Sequence, residues 1–346
     1  LYRFNEEKNA GNAWENYRNS DYSATFTTLE KGRGYLYRNA SALTITMTGD
    51  INVEDFEYDV TKTGTGEYAG FNLIGNPYTH NIYKGTGTAI TNGTSTLSTG
   101  FYYLEPSTGK WAKGTDQSTA IAPNQGILVQ VNETGNINMT NTDDDGVAKS
   151  HNDYIMLSVA NSQYSDEAYA WFDEGIGLNK IEHRNSEIPM LYINQNGENF
   201  AIATMSDETQ SFNLNFKAAT MGKYTLSYET KGEYSYLHVI DRLTGEDVDM
   251  LMDGEYSFIA SPIDSENRFI VRLEYSAGSE ISESSIFAYQ SGSDIIVNGE
   301  GELQIFDMMG RRVSTQYVSG VETINLQSHG VYIFKLNEKT QKIVVK

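Results

Sequence analysis

The sequence predicts an all-β protein built from three consecutive β-sandwich domains. Its 346 residues include 24 Tyr, 14 Phe and 31 Gly, a mixture that suits half-buried pleated surfaces joined by tight turns. Turn-forming pairs such as Asn196-Gly197 and Thr244-Gly245 separate short apolar segments. No long amphipathic helix is predicted, and Asp166–Phe172 is expected to form one helical turn at most.

Four segments show the alternation of apolar and polar residues that is typical of strands. Each stripe has the two-residue period of a strand with one buried face. Short strands separated by turns in this way are typical of sandwiches. The apolar positions are Leu43, Ile45 and Met47; Ile127, Val129 and Val131; Phe212, Leu214 and Phe216; and Phe269, Val271, Leu273 and Tyr275.

Two polar stretches divide the chain. Residues 141–146 read NTDDDG, and a new apolar pattern follows them; residues 276–285 read SAGSEISESS, a composition typical of a linker. We therefore predict β-sandwich domains at 1–147, 148–278 and 279–346. The first residue is Leu1 rather than Met, so either a leader was removed or the chain is the downstream part of a longer protein, with its first domain truncated at the N-terminus.

Composition excludes several classes of function. A net charge of −21 argues against nucleic acid, which needs a basic binding face. No run of about 18 apolar residues exists, so no membrane span is predicted. Cysteine is absent, which removes thiol and disulfide chemistry.

The last domain differs chemically from the rest. The segment 148–278 carries a net charge of −12, whereas 279–346 carries −2, and all six of its bases lie at or after Arg311. Asp307 and Gly310 fit the first and last positions of a four-residue turn, and Gly330 lets the backbone turn before an aromatic-rich strand. Five short strands are predicted, at Ile295–Val297, Leu303–Phe306, Val321–Leu326, Val331–Leu336 and Ile343–Val345.

The order of these features resembles a known export domain. A strand followed by D-M-M-G-R, then L-x-x-x-G-V-Y-I and a terminal K-I-V-V-K, is similar to the C-terminal sorting domain of proteins exported by the type IX (Por) secretion system of Gram-negative bacteria. The resemblance implies a small immunoglobulin-like sandwich, recognition by that secretion machinery, and a secreted or outer-membrane surface location. The positions that match the motif are Asp307, Gly310, Arg311, Gly330, Tyr332 and Lys346.

The upstream chain carries a second resemblance. Gly70–Tyr78 (GFNLIGNPY) with Ile121–Val131, and Trp14–Ile51 before them, look like a β-domain found just upstream of that sorting domain. Tyr236–Leu273 resembles the second β-domain that follows it. These family regions imply location and architecture and carry no catalytic residues to transfer.

Within the first resemblance, Gly75-Asn76-Pro77-Tyr78 predicts a structural corner. Proline fixes its own φ and moves the preceding residue out of the helical region, so the chain must bend or run extended. We expect the side chains of Asn76 and Tyr78 to hydrogen-bond to the backbone around this corner.

Motifs for metal and phosphate chemistry are incomplete. Asn141, Asp143 and Asp145 before Gly146 imitate half of a calcium loop, but the twelfth position is Asn152 rather than Glu, which favours a solvated linker. The five histidines show no metal-ligand spacing, and neither a phosphate loop nor a G-x-S-x-G elbow is present. No cofactor or metal is predicted.

Carboxylates and aromatic residues leave two alternatives open. A glycosidase needs two carboxyls at a set separation, and the acidic run VEDFEYD does not select such a pair. Trp14, Tyr102 and Trp111 are candidates for stacking on sugar rings, although core packing is the favoured interpretation. The favoured function is a non-catalytic adhesion or presentation segment of a surface protein. A carbohydrate-binding module is the alternative, and an enzyme fragment comes third.

Overall fold

Strands make up most of the described chain, and a single turn of helix interrupts them. The computed structural model describes residues 1–8, 12–41, 43–46, 48–142, 153–275, 288–291, 294–307, 310–324, 326, 330–337 and 339–345. The chain divides into two compact units, residues 1–276 (unit 1) and 277–346 (unit 2). Within the described residues, no helix has the length and apolar character needed to cross a bilayer.

The described residues of the first part of unit 1 form nine short strands. They are β1 (Tyr2–Phe4), β2 (Trp14–Asn16), β3 (Phe56–Val60), β4 (Phe71–Gly75), β5 (Ile90–Asn92), β6 (Phe101–Glu105), β7 (Lys110–Gly114), β8 (Gly126–Gln130) and β9 (Gly135–Met139). β1 pairs with β2, β3-β9-β5 form a three-stranded sheet, and β4-β8-β6-β7 form a four-stranded sheet. The last two sheets pack face to face as a sandwich, because buried side chains of both sheets, such as Ile137 and Ile127, share one core.

The second part of unit 1 is one large sheet with a short helix. Its elements are β10 (Asp153–Ala160), β11 (Ser165–Phe172), β12 (Leu178–Asn179), β13 (Met190–Gln195), β14 (Glu198–Met205), β15 (Ser211–Lys217), β16 (Gly222–Lys231), β17 (Tyr234–Asp241), β18 (Asp247–Asp249), α1 (Met250–Asp253), β19 (Glu255–Ala260) and β20 (Phe269–Tyr275). The strand order is β18-β17-β20-β15-β13-β14-β11-β10-β16-β19, with β12 beside β14.

This large sheet folds over onto itself. β15 and the edge strand β19 are far apart in the strand order, yet the rings of Phe216 and Phe258 meet edge to face at 5.3 Å. Such contacts require two halves of the sheet to face each other across one core, which contains buried residues of both halves. The predicted stripes of β15 and β20 lie on this face, since Leu214 and Val271 are fully buried.

A third core joins the two parts of unit 1. It contains Phe71, Tyr102 and Leu128 from the four-stranded sheet together with Trp171 and Ile202 from the large sheet. The four-stranded sheet is therefore covered on both faces, as sheets with long apolar runs usually are.

Burial on both faces explains why consecutive residues of one strand are buried. In β6, Phe101 belongs to the core of the first sandwich, and the next residue, Tyr102, belongs to the third core. In β8, Ile127 and Leu128 divide between the same two cores. Alternate side chains point to opposite faces here as in any strand, but both faces are apolar.

Two local predictions are wrong. Asp166–Phe172 is not a helical turn: it lies in β11, which pairs antiparallel with β10 and parallel with β14. The alternating segment at residues 43–46 forms no strand, and Leu43 and Ile45 are 62% and 53% exposed. The described residues offer this segment no neighbouring strand for backbone hydrogen bonds, so its β-propensity is not realised. Met47 lies outside the described residues.

The domain boundaries predicted from the sequence and the two compact units of the structure correspond only in part. The predicted boundary at 147 and its calcium-loop residues Asp143, Asp145, Gly146 and Asn152 lie outside the described residues. The predicted linker at 276–285 also lies outside them, and the division between units 1 and 2 falls at its start. The first two predicted domains together make up unit 1.

Unit 2 is a five-stranded sheet with its own apolar core. Its strands are β21 (Ala288–Ser291), β22 (Asp294–Asp307), β23 (Arg312–Ile324), β24 (Gly330–Leu336) and β25 (Lys339–Val345). β22 pairs with β23 along nearly its whole length, while its other edge pairs first with β21 and then with β24. The predicted strands Ile295–Val297 and Leu303–Phe306 are therefore parts of one strand, β22. The long partner β23 pairs with the backbone between them.

The predicted corner at Gly75–Tyr78 is confirmed by its hydrogen bonds. The buried Asn76 side chain donates from Nδ2 to the carbonyl oxygens of His80 (2.8 Å) and Ile121 (2.9 Å), and its Oδ1 accepts from the Tyr78 N–H at 2.9 Å. The Tyr78 hydroxyl lies 3.0 Å from the carbonyl of Met139. One amide side chain thus satisfies three backbone groups.

We predict that Asn76→Ala lowers the free energy of unfolding by about 2–4 kcal/mol, because two buried carbonyls and one N–H lose their partner. Chemical denaturation monitored by tryptophan fluorescence measures the change. The matched control is Asn81→Ala, since Asn81 is exposed and its removal should change stability by less than about 0.5 kcal/mol. Equal stability of the two variants would contradict a structural role for the corner.

Candidate functional site

The turn after β22 is the most defined part of the predicted sorting motif. The Asp307 carboxylate accepts from the Arg311 backbone N–H at 2.9 Å and from Arg311 Nε at 2.8 Å. Gly310 has φ +75° and donates its N–H to the Asp307 carbonyl at 2.9 Å, which suits a residue without a Cβ. These hydrogen bonds tie Asp307 to Gly310 and Arg311, while the Arg311 side chain stays 74% exposed.

Other motif residues have structural positions in unit 2. Tyr332 is buried in the core and lies opposite Asp307 in the β22–β24 ladder. Gly330 is the first residue of β24, paired with Val345, rather than part of a turn before the strand. Lys346 lies outside the described residues. Asp307, Gly310 and Arg311 are therefore joined by hydrogen bonds, and Tyr332 pairs with Asp307 in the neighbouring strand.

Basic side chains of unit 2 are exposed where they are described. Arg311, Arg312 and Lys335 all face solvent, which agrees with the expectation for this segment. For Lys339 and Lys342 the prediction of exposure stays a prediction.

The aromatic residues predicted as sugar-stacking candidates are not a surface platform. Tyr102 is fully buried and donates its hydroxyl to the Asn179 carbonyl at 2.8 Å. Trp111 is buried and stacks on the half-buried Trp14 with ring centroids 6.1 Å apart. All three pack in or against the third core, so Tyr102 and Trp111 have no free face for a sugar. This sugar-stacking prediction is wrong for them, and packing explains their positions.

A buried ionic cluster lies where the two parts of unit 1 meet, and sequence reasoning missed it. Asp166 of β11 is fully buried and forms salt bridges to Lys113 of β7 and to Lys180. The Leu191 N–H also donates to Asp166 Oδ2 at 2.7 Å. Both lysine side chains are at most 2% exposed. The cluster therefore connects the four-stranded sheet to the large sheet.

His183 completes the cluster. Its Nδ1 accepts a hydrogen bond from the Trp111 N–H at 3.1 Å, so the neutral ring carries its proton on Nε2. Nε2 lies 3.2 Å from Asp166 Oδ1, outside good hydrogen-bond geometry. Burial lowers the pKa of His183 below its usual value, which favours this neutral form.

Two buried ammonium groups share the Asp166 carboxylate, and Glu167 adds a second carboxylate 3.5 Å from Lys113 Nζ. Burial opposes ionisation of Asp166, but Lys113 and Lys180 outweigh it and hold the pKa of Asp166 well below its usual range. Burial also lowers the pKa of Lys113, yet Asp166 and Glu167 raise it above the normal value. For Lys180, burial and repulsion from Lys113 outweigh the attraction of Asp166 and lower its pKa to about 7.

The cluster is closed to solvent, which decides its chemical role. A catalytic site needs a cavity that admits substrate, whereas Asp166, Lys113 and Lys180 are enclosed by protein. Within the described residues, no group of three or more His, Asp or Glu side chains is arranged to hold a metal ion. We interpret the cluster as an electrostatic joint between two sheets.

Comparison with known proteins gave no match: no family model, no curated protein and no solved structure is significantly similar to the chain.

We predict that Lys180 makes the stability of the protein depend on pH. Its pKa is about 7 in the folded state and about 10.4 in an unfolded chain. Between these values the unfolded state binds the extra proton, so the free energy of unfolding rises with pH, by at most about 1.4 kcal/mol per pH unit. Lys180→Met removes this increase.

Urea unfolding at pH 7 and pH 9 measures the difference, because every other titrating group is common to both proteins. The exposed Lys223 supplies the control variant Lys223→Met, which should keep the wild-type pH dependence. An unchanged pH dependence in Lys180→Met would show that this lysine is fully ionised in the folded state.

Proposed function

We propose that the chain is a non-catalytic part of a secreted or cell-surface bacterial protein with an adhesion or presentation role. In this proposal unit 1 presents a binding surface, and unit 2 is an export and anchoring domain recognised by type IX secretion machinery. Gram-negative bacteria are the expected source.

The separate core of unit 2 is the observation that carries the proposal. Eleven of the described residues between 288 and 343, among them Ile305, Val318 and Phe334, form a buried core. A domain read by export machinery after synthesis needs this independence from the protein it accompanies. The hydrogen bonds from Arg311 to the Asp307 carboxylate support the same role, because they position an exposed arginine that is available to a receptor.

Charge supports recognition of unit 2 by a receptor. Arg311, Arg312 and Lys335 are exposed on a protein whose net charge is −21. A local basic surface on an acidic protein can be attracted by an acidic receptor over a long range, and this attraction increases the rate of association.

A carbohydrate-binding role for unit 1 is the second candidate. The buried residues Tyr102 and Trp111 do not support it, but an open groove in the same unit does. Tyr17 and Tyr37 line this groove and are 39% and 42% exposed. Exposed tyrosines offer a flat apolar face with a polar edge, which suits sugar rings.

We predict that residues 277–346 direct a fused fluorescent reporter to the cell surface of a bacterium that has type IX secretion. Circular dichroism of the purified fusion first checks that this segment is folded. Surface exposure is then measured by antibody labelling of intact cells. A folded fusion retained in the periplasm would reject the export role.

A substitution at Asp307 tests more specifically whether the contacts between Asp307 and Arg311 matter for export. Asp307→Ala removes the carboxylate that holds Arg311 and should reduce surface labelling several-fold. Glu302→Ala is the matched control, because Glu302 is an exposed acid on the same strand. Equal labelling of the two variants would mean that the contacts between Asp307 and Arg311 are not what the machinery recognises.

A further inference from the structure

An open groove in unit 1 combines exposed tyrosines with arginines, and we refer to it as the Tyr–Arg groove. Its volume is about 910 Å³, within the usual size range of ligand pockets, roughly 300–1,000 Å³. Tyr17, Arg18, Tyr37 and Arg38 are among its lining residues, and all four are exposed.

Arg18 and Arg38 carry positive charge that the described residues do not neutralise. Neither forms a salt bridge within the described part of the chain, whereas Arg33 in the same groove pairs with Glu30 at 2.8 Å. Arg18 Nε donates to the Tyr17 hydroxyl at 2.9 Å, and its guanidinium lies over the Tyr17 ring, 5.5 Å from the ring centroid. Its remaining N–H groups stay available to a ligand. Two unpaired guanidinium groups in one groove are unexpected on a chain with a net charge of −21.

The Tyr17 ring is supported by neighbouring aromatic residues. Tyr17 meets the buried Phe26 edge to face at 6.3 Å, and Phe26 stacks on Tyr35 at 5.7 Å. The Tyr35 hydroxyl accepts the Glu30 N–H at 2.8 Å, which fixes the end of this row. A supported aromatic ring loses little conformational entropy when a ligand stacks on it.

We propose that the Tyr–Arg groove binds an acidic polysaccharide whose sugars carry carboxylate groups. Arginine presents a planar fork that matches a carboxylate with two parallel hydrogen bonds, and the tyrosine faces stack against the apolar faces of the sugar rings. This proposal extends the carbohydrate-binding alternative for unit 1. It does not depend on the export role of unit 2, which a separate experiment tests.

The groove rim also contains exposed apolar side chains, Leu43 and Ile45. They would suit an extended peptide strand, which binds to unpaired backbone. However, a peptide strand does not require two arginines in the same groove as exposed tyrosines. The combination of arginine and tyrosine side chains therefore favours an acidic sugar over a peptide. Binding of a peptide is an outcome that the experiment must exclude.

The experiment titrates the purified chain with three carboxylated polymers, polygalacturonate, alginate and hyaluronate, by isothermal calorimetry. Carboxyl-reduced polygalacturonate is the matched neutral ligand. We expect binding to at least one acidic polymer, loss of most of that affinity in the reduced polymer, and weaker binding as salt increases. A sulfated polymer, dextran sulfate, tests whether any polyanion is accepted.

Variants locate the binding in the groove. Arg18→Ala and Arg38→Ala should each weaken binding at least about tenfold, as expected for loss of a charge-assisted hydrogen bond. Tyr37→Ala should weaken binding, and Tyr37→Phe should retain most of it because the ring remains. Arg312→Ala, an exposed arginine of unit 2, should have no effect. All these side chains are exposed, and unchanged melting temperatures confirm that the variants fold.

Several results would overturn the proposal. They are no binding to any of the three carboxylated polymers, equal binding to the reduced polymer, or tighter binding to dextran sulfate than to every carboxylated polymer. Binding of a random peptide library that the groove variants abolish, without polymer binding, would assign the groove to a peptide instead.

Discussion

The architecture of unit 1 depends on one buried carboxylate. Asp166 has no exposure to solvent, and removing a charge from water costs several kcal/mol unless partners compensate it. Its partner Lys113 belongs to β7 of the four-stranded sheet. Its other partners come from the large-sheet part of unit 1: Lys180 directly follows β12, and the Leu191 N–H belongs to β13. The carboxylate has all of its partners only when these segments have packed together, so its contacts fix the positions of the segments relative to one another.

The third apolar core adds to this ionic joint. Gly100 shows how closely the two parts approach, since an added Cβ there would lie 2.3 Å from Ile202 Cδ1 in β14. Its φ of +74° also suits glycine. Apolar packing supplies most of the favourable free energy of burial, and the Asp166 cluster adds directional contacts that a purely apolar interface lacks.

The fold class could be predicted from the sequence because the alternation of apolar and polar residues shows which face of a strand is buried. The stripes that became β15 and β20 each have one apolar face. Prediction was wrong where tertiary context decided the outcome. The segment at 43–46 has a strand pattern but no described partner strand. Asp166–Phe172, expected to form at most one helical turn, is a strand because it pairs with β10 and β14, which the local sequence does not show.

The candidate sites were harder to predict for the same reason. Lys113, Asp166 and Lys180 are far apart in sequence, and no spacing connects them before the sheets pack. Core packing was the favoured interpretation for Tyr102 and Trp111, but the sequence does not report that their sheet is covered on both faces, so a sugar-stacking role stayed open as an alternative. The corner at Asn76 was predictable, since its proline and its amide act over a few residues.

Differential scanning calorimetry of the intact chain at pH 7 tests most directly whether the buried ionic cluster around Asp166 makes unit 1 unfold as one cooperative unit. We expect two transitions, with enthalpies in a ratio of roughly four to one because enthalpy scales with residue number and the units span residues 1–276 and 277–346. Asp166→Asn should lower only the larger transition, since breaking a buried ion pair costs about 3–5 kcal/mol. Three transitions, or a larger transition that Asp166→Asn leaves unchanged, would contradict this account.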